Sequence, residues 1–257
     1  MTLVQQEPKK IYIWSTEVKK IYKGSTKIRP ATPPYLCFTA NTAGSKVKLT
    51  KIGSPTAVTL EKSTDGNTWT TYTIWNTITL SNIWDKVYFR NTSTTTTGFS
   101  TWSWNNYNFE LTWSINWSWD ITYLLNKNWT DTVSNYAFIG LFQWWTALVT
   151  PPRLPATTLW DFCYYSMFDS CSNLEALPKL PALTLPTQCY RYMFGSCSKI
   201  KISTTQTGEY QTEYRIPTTW TWTAWSYSLN NMFSSTWWTF TWNPSVNTNY
   251  YTSNTLV

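Results

Sequence analysis

Three eight-residue phrases, LFQWWTAL (141–148), MFDSCSNL (167–174) and MFGSCSKI (193–200), each begin 26 residues after the one before. Their lead-ins repeat as well. LPATTLWDFCYYSMF (154–168) aligns with LPALTLPTQCYRYMF (180–194), which sets Cys163 on Cys189 and Cys171 on Cys197. A fixed period between about 20 and 50 residues marks units that bury their apolar faces only against their neighbours. The repeat therefore predicts a solenoid over 126–204, followed by a capping C-terminal segment over 205–257 in which Met232-Phe233 echoes the phrase. Stacked scaffolds of this kind usually bind rather than catalyse.

Within each unit the residues after the phrase, 147–149, 173–177 and 199–202, read as short strands, and the prolines that follow turn the chain. Cys, Tyr, Met and Phe three and four apart over 161–168 and 188–194 predict brief helical turns with those side chains inward. Equivalent positions stack, so Cys163, Cys171, Cys189 and Cys197 are expected to form a ladder of small, buried, reduced thiols, with a Cys163–Cys189 or Cys171–Cys197 disulfide as the alternative. The first phrase departs from the others. Trp144 and Trp145 stand where the later copies have Ser-Cys, so the indoles are expected to be forced outward or to distort the first unit, with the thiol ladder starting in the second.

Ahead of the repeat, 35–125 reads as an all-β domain of Ig-like sandwich type. Val47 and Leu49 alternate with lysines, Val58-Leu60, Thr70-Tyr72-Ile74 and Ile78-Leu80 keep a period of two, and KVYFR and FEL add strands. Thr64-Asp65-Gly66-Asn67 is a turn signal, and 91–108, rich in Thr, Ser and Asn, is expected to be a surface loop. Residues 1–34 form a basic arm with a short tandem repeat, KKIYIWSTEV then KKIYKGSTKI, each copy a minimal strand pattern. The fold class is thus mainly β with short helices.

Charge and residue usage narrow the chemistry. Of the formal net charge of +7, the arm carries +5. This is either a solvated solubilising segment or a dock for an acidic surface. Histidine is absent and Asp and Glu number only 13, removing the commonest general base and metal ligand. No phosphate loop, nucleophile elbow, zinc motif or dinucleotide fingerprint occurs, the cysteines have no candidate base, and Asp161, Asp169 and Glu175 follow no glycosidase spacing. No catalytic residue, metal ligand or cofactor is expected, nor nucleic acid as a partner. No apolar run reaches 18 residues, so no membrane span is expected, and MTLVQQEPKKIYIW lacks the pattern of a secretory leader.

Nineteen tryptophans against eight glycines inverts ordinary usage. In the arm, Gly24 of the second copy replaces Trp14 of the first. Others stand where turns call for glycine, as in Ile83-Trp84-Asp85, Asn116-Trp117-Ser118-Trp119-Asp120, Asn128-Trp129-Thr130 and Trp237-Trp238. The pattern predicts that most correspond to UGA codons that the source organism or virus reads as glycine. Trp69, just past the Asp65-Gly66 turn, reads as genuine.

The pattern P-x-L-P-A-x-T-L-x-x-x-C-Y-x-x-M-F-x-x-C-[ST]-x-L in 152–174 and 178–200 resembles the BspA-type leucine-rich repeat of bacterial surface proteins, and the preceding β region resembles the module that often precedes such repeats. The resemblance implies attachment to a surface protein of a host or neighbouring cell, at the cell surface or outside it. The arm separately resembles short repeats of phage tail and virion proteins, which implies a structural or receptor-binding virion component as an alternative. If the strand face binds, Arg153, Glu175, Lys179, Lys199 and Lys201 are the polar candidates, rimming Val149, Leu177 and Ile202. A carbohydrate-binding module, with glycan stacking on Trp117, Trp119, Trp237 and Trp238, is the reading from another class.

Overall fold

The computed structural model describes residues 35–94, 98–101, 104–118, 120–216, 227–236, 243–246 and 248–257, together with four short strands within 1–34. The chain divides into two compact units, 1–34 and 35–257. In the first, Tyr12–Ile13 pairs antiparallel with Thr16–Glu17, and Ile21–Lys23 with Thr26–Ile28, so each copy of the tandem repeat folds back on itself.

The second unit is mainly β. Among the described residues it has no α-helix, and its only helical element is a 3-10 turn at Ile121–Leu124, capped by Asp120, whose side chain accepts from Thr122 N. The first eight strands are β1 (Leu36–Ala40), β2 (Ser45–Ile52), β3 (Leu60–Ser63), β4 (Thr70–Tyr72), β5 (Ile78–Leu80), β6 (Lys86–Asn91), β7 (Asn106–Thr112) and β8 (Ile115–Ser118). They make a five-stranded sheet in the order β8-β1-β6-β3-β4 and a three-stranded sheet in the order β7-β2-β5, with every pairing antiparallel. The period-two pattern decides which side faces in: Val47 and Leu49 of β2 are buried while Lys46 is exposed. The two sheets meet through rings. Phe38 and Phe89 of one lie 4.9 and 5.5 Å from Phe109 of the other. Tyr72 braces the junction, its hydroxyl accepting from Leu49 N at 2.9 Å and donating to Asn76 O at 2.6 Å.

Residues 91–108 are not simply a surface loop. Phe99 is fully buried and Asn106 to Asn108 belong to β7. The polar composition misled because the asparagines have an inward task, described below.

From Tyr136 onward, successive copies stack in register. In the first copy the N–H groups of residues 136, 138, 140, 142 and 144 donate to the carbonyls of 161, 163, 165, 167 and 169, at 2.8 to 3.0 Å. The second copy does the same to the third through residues 162 to 170. The third donates from 190, 192, 194 and 196 to 228, 230, 232 and 234. Residues 227–236 are therefore a fourth copy, and Phe233 sits 39 residues after Phe194 instead of 26. One column of rings runs through the stack: Phe109, Phe142, Phe168, Phe194 and Phe233, with centroids 5.4 to 5.7 Å apart and planes within 16°. A second runs Phe138, Tyr164, Tyr190 at 5.9 Å spacing.

The brief helices expected at 161–168 and 188–194 are absent. Each segment is a run of turns in which every fourth residue is left-handed: 136, 140 and 144, then 162, 166 and 170, 188, 192 and 196, and 227, 231 and 235, with φ between 52° and 71°. A helix would spend its N–H groups internally, whereas here alternate ones cross to the next copy and the others close four-residue turns such as Ala137 N to Ser134 O. The side-chain spacing misled because both arrangements bring residues about four apart to one side.

Strand β7 lies at the start of the stack. Phe109 N donates to Leu141 O at 2.8 Å, and the side-chain amides of Asn106 and Asn108 donate to Ile139 O and Gly140 O at 3.4 and 2.6 Å. Asn106 supplies a donor to a carbonyl that has no preceding copy to pair with, whereas Gly140 O also accepts from Gln143 N at 3.1 Å. One continuous core runs from Leu36 to Tyr250. Short strands lie in the lead-ins to the first two phrases, where β9 (Thr132–Val133) pairs parallel with β10 (Thr158–Leu159), and at the end of the first phrase Leu148 makes a parallel bridge with Ile115. Beyond these, β11 (Ala176–Leu177) and β12 (Ile202–Ser203) do not pair with each other. The end of the chain comes back to them. After β13 (Thr212–Tyr214), β14 (Tyr250–Thr252) pairs with β12 and β13, and β15 (Thr255–Leu256) pairs parallel with β11.

Candidate functional site

The candidate face is built from the ends of the 26-residue copies. Glu175 and Lys199, one copy apart less two residues, form an exposed ion pair. Lys201 lies 3.3 Å from Glu209, and its N–H donates to Asn254 Oδ1 at 2.9 Å. Lys179 is exposed, and its N–H donates to Val257 O at 2.9 Å. The returning tail thus borders three of these residues through β14, β15 and the turn between them. Each exposed pair contributes little to stability, about 0 to 1 kcal/mol, which leaves the charges available for a partner.

The remaining predicted residues lie elsewhere. Leu177 and Ile202 are 0% and 2% exposed and belong to the core, so neither presents a side chain to a partner as placed. Val149 is half-buried, its carbonyl accepting from Glu175 N at 2.8 Å. Arg153 is half-buried beside Asp120, with which it forms a parallel bridge. Pattern reasoning placed apolar residues on the face because a two-residue period fits a short strand, but tail strands on one edge and rings beneath leave these two enclosed.

Asp120 is the most perturbed acid of this region. Burial pushes its carboxyl up to about 6, against the opposing pull of Thr122, whose hydroxyl and N–H both donate to Oδ1, of the Trp129 indole and of the Arg153 charge. Asp169 is also raised by burial, although Gln143 Nε2 donates to it at 2.9 Å. In the opposite sense, Asp65 at the β3–β4 turn is held well below the usual carboxylate range by Thr68 N, Asn67 N and the Ser63 and Thr68 hydroxyls.

All five cysteines are buried and unbridged. Burial raises the thiols of Cys171 and Cys197, and each Sγ–H donates to the Phe carbonyl of the previous copy, Phe142 O at 3.0 Å and Phe168 O at 3.1 Å. Such thiols are poor nucleophiles. The ladder begins in the second copy. Trp144 is exposed, and Trp145 lies partly buried against the core with its indole N–H on Asn108 Oδ1, so the first copy keeps its register without distortion.

The tryptophans separate into two groups. Trp75, Trp84, Trp113, Trp129 and Trp144 have φ between 65° and 78°, the left-handed region that favours glycine. Trp69 is different. It packs edge-on against Tyr35 at 4.6 Å and beneath the Arg90 guanidinium at 4.1 Å, while Arg90 also binds Glu61 at 2.7 Å. Trp117 lies in strand β8, where Ser118 and Asn116 pair with β1, and not at the turn expected over 116–120; its side chain, and Trp14, Trp119, Trp237 and Trp238, lie outside the described residues.

No metal-ligating cluster of three or more His, Cys, Asp or Glu occurs among the described residues, and no helix is long and apolar enough to cross a membrane. Comparison with protein-family models, with characterised proteins and with solved structures finds no match to this chain.

Proposed function

We propose that this protein is a non-enzymatic binding scaffold of BspA type, in which an immunoglobulin-like β-sandwich continues into a short leucine-rich solenoid that attaches to a protein on another surface. The observation that carries the reading is the rung-by-rung register of the 26-residue copies, with a ring column continued from β7. Such a stack fixes exposed side chains on a rigid frame, so the surface can vary without disturbing the interior. The contact region we assign is the charged edge of Glu175, Lys179, Lys199 and Lys201 beside the returning tail.

Labelled full-length protein applied to cells and to matrix-coated surfaces tests this. Replacing the four residues by alanine should weaken attachment at least tenfold, about 1.4 kcal/mol. Attachment unchanged by the fourfold variant, with the melting curve preserved, would sink the assignment.

We further propose that the five left-handed tryptophans stand for glycine in the protein as its own source makes it. Left-handed backbone costs an L-residue with a Cβ about 1 to 2 kcal/mol, and five bulky side chains at such positions find a common cause in a UGA codon read as glycine. Reading the gene decides it: UGG at codons 75, 84, 113, 129 and 144 overturns the proposal. Glycine at these positions would also weaken any reading of the protein as a tryptophan-platform lectin.

A further inference from the structure

An open cleft of about 420 Å³ lies where the 98–101 segment meets the first turn run, lined by Gly98, Ser100, Ser134, Asn135, Tyr136 and Trp160 among others. We propose that this cleft binds a neutral glycan, and that a strip of half-exposed rings beside it carries the sugar chain onward.

The lining has the chemistry of a sugar subsite. Apart from the Tyr136 phenol it contains no ionisable side chain, and it combines hydroxyls and an amide with two aromatic rings. Ser100 is only 3% exposed, and its Oγ has no hydrogen-bond partner among the described residues; the buried Oγ of Ser134 has none either. Buried hydroxyls are normally satisfied, and leaving one unmet costs about 1 to 3 kcal/mol. Both oxygens are closed off from solvent as placed, so a ligand that brings its own hydroxyls would meet them after a rotation of the serine side chains toward the cleft. The site is also held in shape. Asn135 Oδ1 accepts from Asp161 N at 3.0 Å, which orients the amide, and Gly98 sits so close that a Cβ there would lie 3.1 Å from Asn135 O and 3.3 Å from Ser134 Oγ.

From the cleft the rings continue without a break. Tyr136 stacks on Phe162 at 5.1 Å, Phe162 is 6.2 Å from Tyr165, and Tyr165 is 6.0 Å from Tyr192. The Arg191 guanidinium lies 5.2 Å from the Tyr192 ring and 5.7 Å from Tyr227, and its buried Nε has no partner among the described residues. A pyranose presents an apolar C–H face for such rings and a rim of hydroxyls for unmet donors and acceptors. Only Tyr136 and Phe162 occupy equivalent positions of successive copies, Gln188 standing at the next, and Tyr165 and Tyr192 extend the strip from neighbouring positions. Because the strip consists of Tyr and Phe, it is unaffected by the reading of the tryptophans. Trp160 itself is 54% exposed and is not one of the left-handed residues, and the next copy has Pro186 at its position. The proposal does not depend on the charged edge.

The test titrates the full chain with cellohexaose, maltohexaose, xylohexaose and chitohexaose, followed by calorimetry and by tyrosine and tryptophan fluorescence. Polygalacturonate and decaproline serve as the anionic and peptide arms. At least one neutral hexasaccharide should bind with a Kd of about 1 mM or tighter, and Tyr136→Ala should weaken it about tenfold. Gly98→Ala should also weaken it by narrowing the cleft, and Trp160→Gly serves if Tyr136→Ala does not fold. The proposal is overturned if no neutral hexasaccharide binds at about 10 mM, if polygalacturonate or decaproline binds in their place, or if affinity is the same in Tyr136→Ala and Trp160→Gly as in the parent chain.

Discussion

The two halves of the second unit satisfy their backbones in opposite ways. In 35–118 the strands pair antiparallel with neighbours close in sequence or across one sheet, and left-handed φ is confined to turns such as Gly44, Gly66, Trp75 and Trp84. In 136–236 left-handed φ recurs every fourth residue inside the copies, on Tyr, Phe, Ser, Gln and Asn as well as Gly140 and Trp144. The same local conformation therefore has different support. Within the stack, residues such as Phe162, Ser166 and Ser170 donate their N–H groups to the next copy, so local strain is offset by a ladder that a helix could not make. At Trp84 the N–H donates to Ala40 O at the end of β1, 2.8 Å away, and the indole itself is exposed. Inside the array the left-handed position takes several residue types because the ladder supports it, whereas the isolated ones at Trp75, Trp84, Trp113 and Trp129 lack that support and favour glycine.

The sharpest way to break this contrast is to interrupt the ring column. Phe168→Ala should cost about 3 to 5 kcal/mol in denaturant unfolding, and the double change with Phe142→Ala should show a coupling of about 0.5 to 1.5 kcal/mol. Strict additivity would mean that the copies do not support one another. Next in size is a pH effect at the junction of the halves. Asp120 has its pKa raised to about 6 from 3.8, so the folded state holds a proton that the unfolded state has lost. Its contribution is unfavourable above about pH 6 and disappears as pH falls through about 4, a difference of about 3 kcal/mol. Stability of the parent chain relative to Asp120→Asn should therefore decline between pH 4 and 6, and parallel curves for the two proteins would refute the buried, perturbed carboxyl.

Two smaller changes sharpen the comparison among tryptophans. Trp69→Gly should destabilise by about 1 to 3 kcal/mol, because it removes the ring between Tyr35 and Arg90. Trp84→Gly should instead stabilise by about 1 kcal/mol, read as a rise in melting temperature. A loss of stability in Trp84→Gly comparable to that in Trp69→Gly would remove the distinction.

Much of this was readable in the residues. Alternating Val47 and Leu49 announced a strand because a strand turns successive side chains to opposite faces, although Val58, read with Leu60, lies ahead of β3, and the repeated Met-Phe phrases announced rings in equivalent places because identical local sequence folds identically. The misplaced helices show the limit. Spacings of three and four are shared by a helix and by a turn run with a left-handed residue at every fourth position, and which forms depends on whether a neighbouring copy can accept the alternate N–H groups. The predicted face shows the same limit: Glu175, Lys179, Lys199 and Lys201 are exposed, but whether Leu177 and Ile202 face outward was decided by β15 and β14, 79 and 50 residues further along the chain and with no periodic signature. The aromatic strip went unnoticed in the sequence because Tyr136, Phe162, Tyr165 and Tyr192 read as core residues of helical turns. By itself, then, the sequence determined the period, the inward rings and thiols, and the turn positions at Trp84 and Trp129, all of which are local, whereas Trp75, Trp113 and Trp144 carried no such signal. Only the tertiary structure decided that the sheets begin the stack, that the tail closes beside it, and that a cleft with two unmet hydroxyls opens at the junction, because each depends on hydrogen bonds between segments far apart in the chain.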